Sequence, residues 1–138
     1  MPQTPLPEII VTTRDYERLS NVLASLPESH EVGRMLEAEL DRAEILEPEE
    51  VPSDVVTMNS RVVIEDLESG EKLTVTLVYP ASADFQAGRL SVLAPVGAAL
   101  LGLRAGQTIE WPLPGGRKKR VRVAAVEWQP EAAGEDHL

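Results

Sequence analysis

The sequence predicts an α+β chain in two pieces. Residues 1–50 form a short antiparallel αα-hairpin, a brief coiled coil, and residues 51–138 form a small domain in which one short helix crosses a twisted antiparallel sheet. Three observations carry this. Two stretches near the start place apolar residues three and four apart. Alternating runs such as Lys72–Val78 follow after residue 54. Between them and the end lies Leu90–Gly106 (LSVLAPVGAALLGLRAG), followed at once by Thr108–Gly116 (TIEWPLPGG).

Taken in order, Glu8–Val11 reads as a short extended segment after the prolines Pro2, Pro5 and Pro7. Thr12 or Thr13 offers an N-cap for a helix through about Leu26, with Tyr16, Leu19, Val22, Leu23 and Leu26 on one face. Pro27 ends it. Ser29 is a fresh cap for a second helix to about Leu46, whose inner face is Val32, Leu36, Leu40 and Ala43. Helices of this length reach about 20–27 Å. Glu47–Pro52 lacks periodicity and is the linker. Val55–Met58, Arg61–Asp66 and Lys72–Val78 read as strands, the last two joined by a tight turn at Ser69-Gly70. Ser82–Gly88 is a polar connection with a helical turn.

The stretch from Leu90 is the most informative. Leu90, Val92 and Ala94 alternate as in a half-buried strand. Pro95 suits the first turn of a helix, where a missing N–H costs nothing. That helix runs Pro95–Leu103, and Gly102 or Gly106 can take the left-handed conformation that ends it. Val96, Leu100 and Leu103 are expected to face inward while the Pro95 end stays exposed. A hairpin over Gln107–Gln129 turns at Pro114-Gly115-Gly116. Pro130–Leu138 reads as a polar tail.

Composition narrows the function. Aromatic residues make up only 4% of the chain, so the core is aliphatic. The absence of cysteine excludes disulfides and thiolate metal sites and fits a reducing cytoplasm, the expected location. No apolar run approaches the ~18 residues of a membrane span, and no secretory leader is apparent. Of 23 acidic and 13 basic side chains, residues 1–54 hold 13 and 4. This acidity disfavours direct nucleic-acid binding, fits a protein partner with basic surface, and argues for a monomer through self-repulsion.

A search for catalytic chemistry returns little. His30 lies at the helical turn and His137 in the tail, neither with a second ligand three or four residues away, so no metal is expected. No Ser-His-Asp or Cys-His set can be assembled. Gly97, Gly102 and Gly106 lack the Gly-Lys-Ser/Thr of a phosphate loop and read as packing and capping glycines. Arg117-Lys118-Lys119-Arg120 decorates a hairpin tip, as solvated charge or as a contact to an acidic partner. No catalytic residue and no cofactor are expected.

The stretch Leu90–Gly116 resembles the C-terminal, FKBP-like domain of the Gre transcript-cleavage factors. Five blocks in order resemble the Rnk family, the short-armed relatives of those factors known as regulators of nucleoside diphosphate kinase: Leu40–Leu46, Asp54–Val62, Thr76–Ala81, Leu93–Gly106 and Glu127–Gly134. The resemblance implies a non-enzymatic regulator that binds RNA polymerase at the rim of its secondary channel, competes there with Gre factors and does not stimulate transcript cleavage. It implies contact residues Leu93, Ala94, Pro95, Val96, Ala98 and Leu101, which the residue pattern alone also explains as helix-to-sheet packing. It draws attention to Glu28 and Glu31 at the hairpin tip, where Gre factors carry two metal-holding acids. Helix capping already accounts for Glu31 here, and the arm is short. Two alternatives follow from the same resemblance. One is a true cleavage factor, and the other is an FKBP-like prolyl isomerase, whose aromatic pocket would draw on Tyr79, Phe85, Trp111 and Trp128.

Overall fold

The computed structural model describes residues 8–112 and 114–135. The prolines before Glu8 and His137 in the tail lie outside the described residues. The chain opens with β1 (Ile10–Thr12) and α1 (Thr13–Ala24). Thr12 is the N-cap: its hydroxyl oxygen accepts the Asp15 N–H at 2.9 Å. The helix closes at Ser25, before Pro27.

The second helix, α2 (Glu31–Arg42), differs from expectation at both ends. Its cap is His30 rather than Ser29: Nδ1 accepts the Gly33 N–H at 2.9 Å. Gly33 leaves room for this, since a Cβ there would stand 3.3 Å from that same nitrogen. His30→Ala is expected to cost about 1 kcal/mol, read as a drop in the denaturant midpoint at neutral pH. At its other end α2 stops at Arg42 instead of Leu46. Residues Glu44–Leu46 form β2, which pairs in parallel with β1 in the register Ile10↔Glu44 to Thr12↔Leu46. This three-residue clip ties the roots of both helices together. It also shortens the arm: twelve residues per helix give about 18 Å.

Beyond the linker, whose Pro48–Glu50 forms a 3-10 turn, Val55–Met58 is not a strand. It is a buried extended segment held by the single bridge Val55↔Arg104 and by Val56, whose N–H donates to the Leu103 carbonyl at 2.8 Å. Asn59, at φ +68°, then turns the chain into the sheet.

That sheet comprises β3 (Arg61–Asp66), β4 (Lys72–Val78), β5 (Arg89–Ser91), β6 (Thr108–Pro112) and β7 (Lys118–Trp128), in the order β5-β4-β3-β7-β6. Three pairings are antiparallel, as expected. The fourth, β4 with β5, is parallel, because the 3-10 turns Pro80–Ser82 and Phe85–Ala87 carry the chain back before it re-enters the sheet. Of the expected Leu90–Ala94 strand only Leu90 and Ser91 pair, preceded by Arg89. Register shifts between Arg61/Val62 and Val63/Ile64 mark bulges in β3 against β7, the kind of irregularity that curls a sheet.

Helix α3 (Pro95–Leu100) starts at Pro95 and ends before Gly102, which takes φ +82°. Gly102 is doubly constrained, since a Cβ there would lie 2.6 Å from the Cβ of Ile9. One apolar core runs through the molecule. Ile9, Leu19, Leu36 and Leu40 from the arm join Val62, Leu77, Leu100 and Leu103 from the head.

Candidate functional site: an apolar groove beside the third helix

The six residues of α3 span only about 9 Å, less than the sheet beneath. Val62 and Val75 face each other across β3 and β4 and are fully covered. Two residues further on, Ile64 and Leu73 also face each other, yet Leu73 is 46% exposed. The uncovered end of the sheet is the floor of a groove of about 240 Å³. Its floor is Ile64, Leu73, Val75 and Leu90, and Phe85 forms one wall. Ala94, Pro95 and Val96 line it from the start of α3, and Lys119 closes one end. Phe85 is 65% exposed, a large apolar side chain held out in water.

The polar edge is organised by Asp66. Its carboxylate accepts the Glu68 N–H at 2.9 Å and stands 3.6 Å from Lys119 Nζ. The Glu68 N–H first, and the Lys119 charge after it, hold this carboxyl below its ordinary range. Lys118 reaches Glu110 at 3.6 Å, so half of the basic tetrad at 117–120 is paired locally.

The expected contact residues divide. Ala94, Pro95 and Val96 line the groove, and Leu93 sits partly buried just before them, its N–H donating to Ser91 Oγ at 3.0 Å. Ala98 and Leu101 do not line the groove: both are buried in the core. Of the inward set, Leu100 and Leu103 are fully buried, whereas Val96 is shared between core and groove. Glu28, in the turn between the two helices, and Glu31, the first residue of α2, are exposed and far along the chain from this groove. Of the aromatic candidates whose side chains are described, Phe85 alone lines it. Tyr79 turns to the arm, Trp128 borders a separate depression with Ser53 and Gln129, and the Trp111 side chain lies outside the described residues.

Sequence reasoning missed Ile64 and Leu73, and weighed Phe85 only as an aromatic of the isomerase alternative. A lone phenylalanine in the polar run Ser82–Gly88 was the one available signal. It also missed the junction between arm and head. Asp15 in α1 is only 4% exposed, and its carboxylate accepts the Met58 N–H at 3.1 Å and the Tyr79 hydroxyl at 3.3 Å. Burial pushes the Asp15 carboxyl up to about 6, aided by the Glu131 charge and opposed by those donors. Burial also raises the Tyr79 hydroxyl, which stays a neutral donor.

Residues 51–128 match the family described as "Transcription elongation factor, GreA/GreB, C-term", and residues 7–46 match "Rnk N-terminus". The Regulator of nucleoside diphosphate kinase of Escherichia coli (strain K12) is 51% identical over 134 residues, spanning 94% of this chain and 96% of its own length. The chain belongs to the Rnk family. Transcription elongation factor GreA of Rhodopseudomonas palustris (strain TIE-1) is more distant, 35% identical over 104 residues that cover 74% of this Rnk-family chain and 65% of GreA. A solved prokaryotic transcription elongation factor GreA/GreB from Nitrosomonas europaea superposes with a TM-score of 0.72 at 48% identity, covering 88% of this chain and 99% of that one. The α+β architecture of short helical arm and Gre-type head is therefore that of the family. These relatives carry the names of a regulator and of elongation factors, and this Rnk-family chain is a Gre-related regulator. Among the described residues, no helix is long and apolar enough to cross a membrane.

Proposed function

We propose that this chain is a transcription regulator that docks its head on RNA polymerase at the secondary-channel rim, through the groove beside α3. There it competes with Gre factors without stimulating transcript cleavage. The observation that carries this is the groove itself: exposed Phe85 and Leu73 face a rigid proline-started wall of Ala94, Pro95 and Val96. Rigid, pre-formed apolar surface loses little ordering entropy on binding. Regulation of nucleoside diphosphate kinase is the role for which the Escherichia coli relative is named. The protein acts as a monomer in the cytoplasm. A pulldown with purified core polymerase, with and without excess Gre factor, is the direct test. Binding that a Gre factor displaces supports the reading. No binding, or binding that Gre factor leaves untouched, counts against it.

The absence of cleavage rests on reach. Helices of about 18 Å hold Glu28 and Glu31 close to the head, where they cannot deliver a metal ion deep into a channel. Added to a backtracked elongation complex, the protein is expected to leave the RNA intact. Shortened RNA that disappears on Glu28→Ala with Glu31→Ala would establish the cleavage-factor alternative instead. The isomerase alternative lacks an aromatic-lined pocket among the described residues, since Phe85 is the one aromatic of the groove.

A further inference from the structure

The arm joins the head through a buried polar node as well as through the apolar core. Asp15 sits in the first turn of α1, and its two carboxylate oxygens are divided between two parts of the head. Oδ2 accepts the Met58 N–H at 3.1 Å, and Oδ1 accepts the Tyr79 hydroxyl at 3.3 Å. Behind Met58 a second shell of hydroxyls closes the node. Thr57 Oγ1 lies 2.8 Å from Ser60 Oγ and donates to Glu131 Oε1 at 2.6 Å. Four separate segments thus meet here: the root of α1, the Val55–Ser60 segment, the end of β4 and the turn after β7.

The charges around Asp15 are few and opposed. From its own helix comes Arg18, whose positive charge bears on the Tyr79 hydroxyl. From the end of β4 comes the neutral Tyr79 hydroxyl. From the C-terminal turn comes Glu131, whose negative charge bears directly on the Asp15 carboxyl. Thr12, Thr57 and Ser60 supply uncharged hydroxyls. An ionised Asp15 is therefore desolvated beside a second carboxylate. A neutral Asp15 keeps its bond from Met58 and escapes both penalties.

We infer that Asp15 is a proton-operated pin between arm and head: with its carboxyl neutral the root of α1 is fastened to the Met58 turn, and with it ionised that seat opens more readily. The sign follows from linkage. The seated carboxyl holds its proton up to about pH 6, whereas an open, solvated one releases it near the ordinary value of 3.8. Seating is therefore strengthened as pH falls through that window and weakened as pH rises above it, by about a hundredfold in the opening equilibrium. The pin acts inside this chain, whatever the head docks on.

Native-state hydrogen exchange separates this local event from unfolding of the head. The Met58 amide reports the pin. The Val123 amide, bonded to the Gln107 carbonyl at 3.0 Å, reports the sheet. Between about pH 7.5 and about pH 4.5, and after correction for intrinsic exchange, opening at Met58 is expected to fall about twenty-five-fold while opening at Val123 changes little. Equal pH dependence at both amides, or none at Met58, overturns the inference. Asp15→Asn is expected to abolish the pH dependence at Met58. Should that variant fail to fold, Glu131→Gln serves: removing the neighbouring charge lowers the midpoint at which the Asp15 carboxyl titrates by NMR. An unchanged midpoint there would also overturn the idea.

Discussion

Replacing Phe85 and Leu73 together by serine is expected to weaken capture of core RNA polymerase by at least about thirtyfold, the loss of a central apolar anchor. Phe85 stands largely in water and Leu73 nearly half so, at 65% and 46% exposure, and the fold loses little when they go. Stability should change by less than about 0.5 kcal/mol. The packed residues around them, Val75 and Leu77, are untouched. Affinity by fluorescence anisotropy and a denaturant titration on the same variant therefore give opposite readings if the groove is the docking face. Binding that survives the double substitution would remove the groove from that role.

The second large effect comes from a single methyl group. A Cβ on Gly97 would lie inside the van der Waals envelope of the Ser91 carbonyl oxygen, 3.0 Å from the Ser91 carbonyl carbon and 3.2 Å from Val92 Cα. All three are backbone atoms, so no rotamer change relieves the overlap. Helix α3 must lift from β5, and its buried Ala98, Ala99 and Leu100 move with it. Gly97→Ala is expected to cost about 3 kcal/mol or more, seen as a fall of about 10 °C in Tm. Because Ala94, Pro95 and Val96 ride on the same helix, polymerase capture falls alongside stability. The serine double variant, by contrast, separates the two quantities.

How far the fold was legible depended on how local each cause was. Helix α3 was readable because Pro95 and Gly102 punctuate it within a few residues of its own sequence. The Lys72–Val78 strand was readable from its alternation. The end of α2 was not, since the partner that draws Glu44–Leu46 into a strand lies more than thirty residues earlier, at Ile10–Thr12. The His30 cap was hidden for a related reason. Ser29 is the better intrinsic cap, and only the actual turn brings Nδ1 to the Gly33 N–H.

The candidate site was legible in half. Pro95 and its neighbours stood out as a rigid, small-residue turn, and three of them do line the groove. Ala98 and Leu101 belong to the same apolar run, and nothing in the run distinguishes residues that look inward from those that look out. The floor at Ile64 and Leu73 could not be foreseen, because its exposure is set by how far α3 reaches across strands remote in sequence. Asp15 is the sharpest case. In the sequence it is one of two acids in a helix that also carries Arg14 and Arg18, and only the assembled junction shows it closed off from water beneath Tyr79.

The parallel clip of β1 and β2 has a consequence for how such arms vary in length. It anchors both helices at their roots, with the Ile10 N–H donating to the Gly102 carbonyl at 3.1 Å. Whole helical turns can therefore be inserted beyond Ala24 and matched before Glu31 without disturbing a single anchoring bond. Growth occurs at the free end, as in a telescoping mast whose base is bolted down. Exchanging an entire arm for another would instead cut through shared interior at Ile9, so hybrids spliced near residue 50 should misfold where extended ones stand.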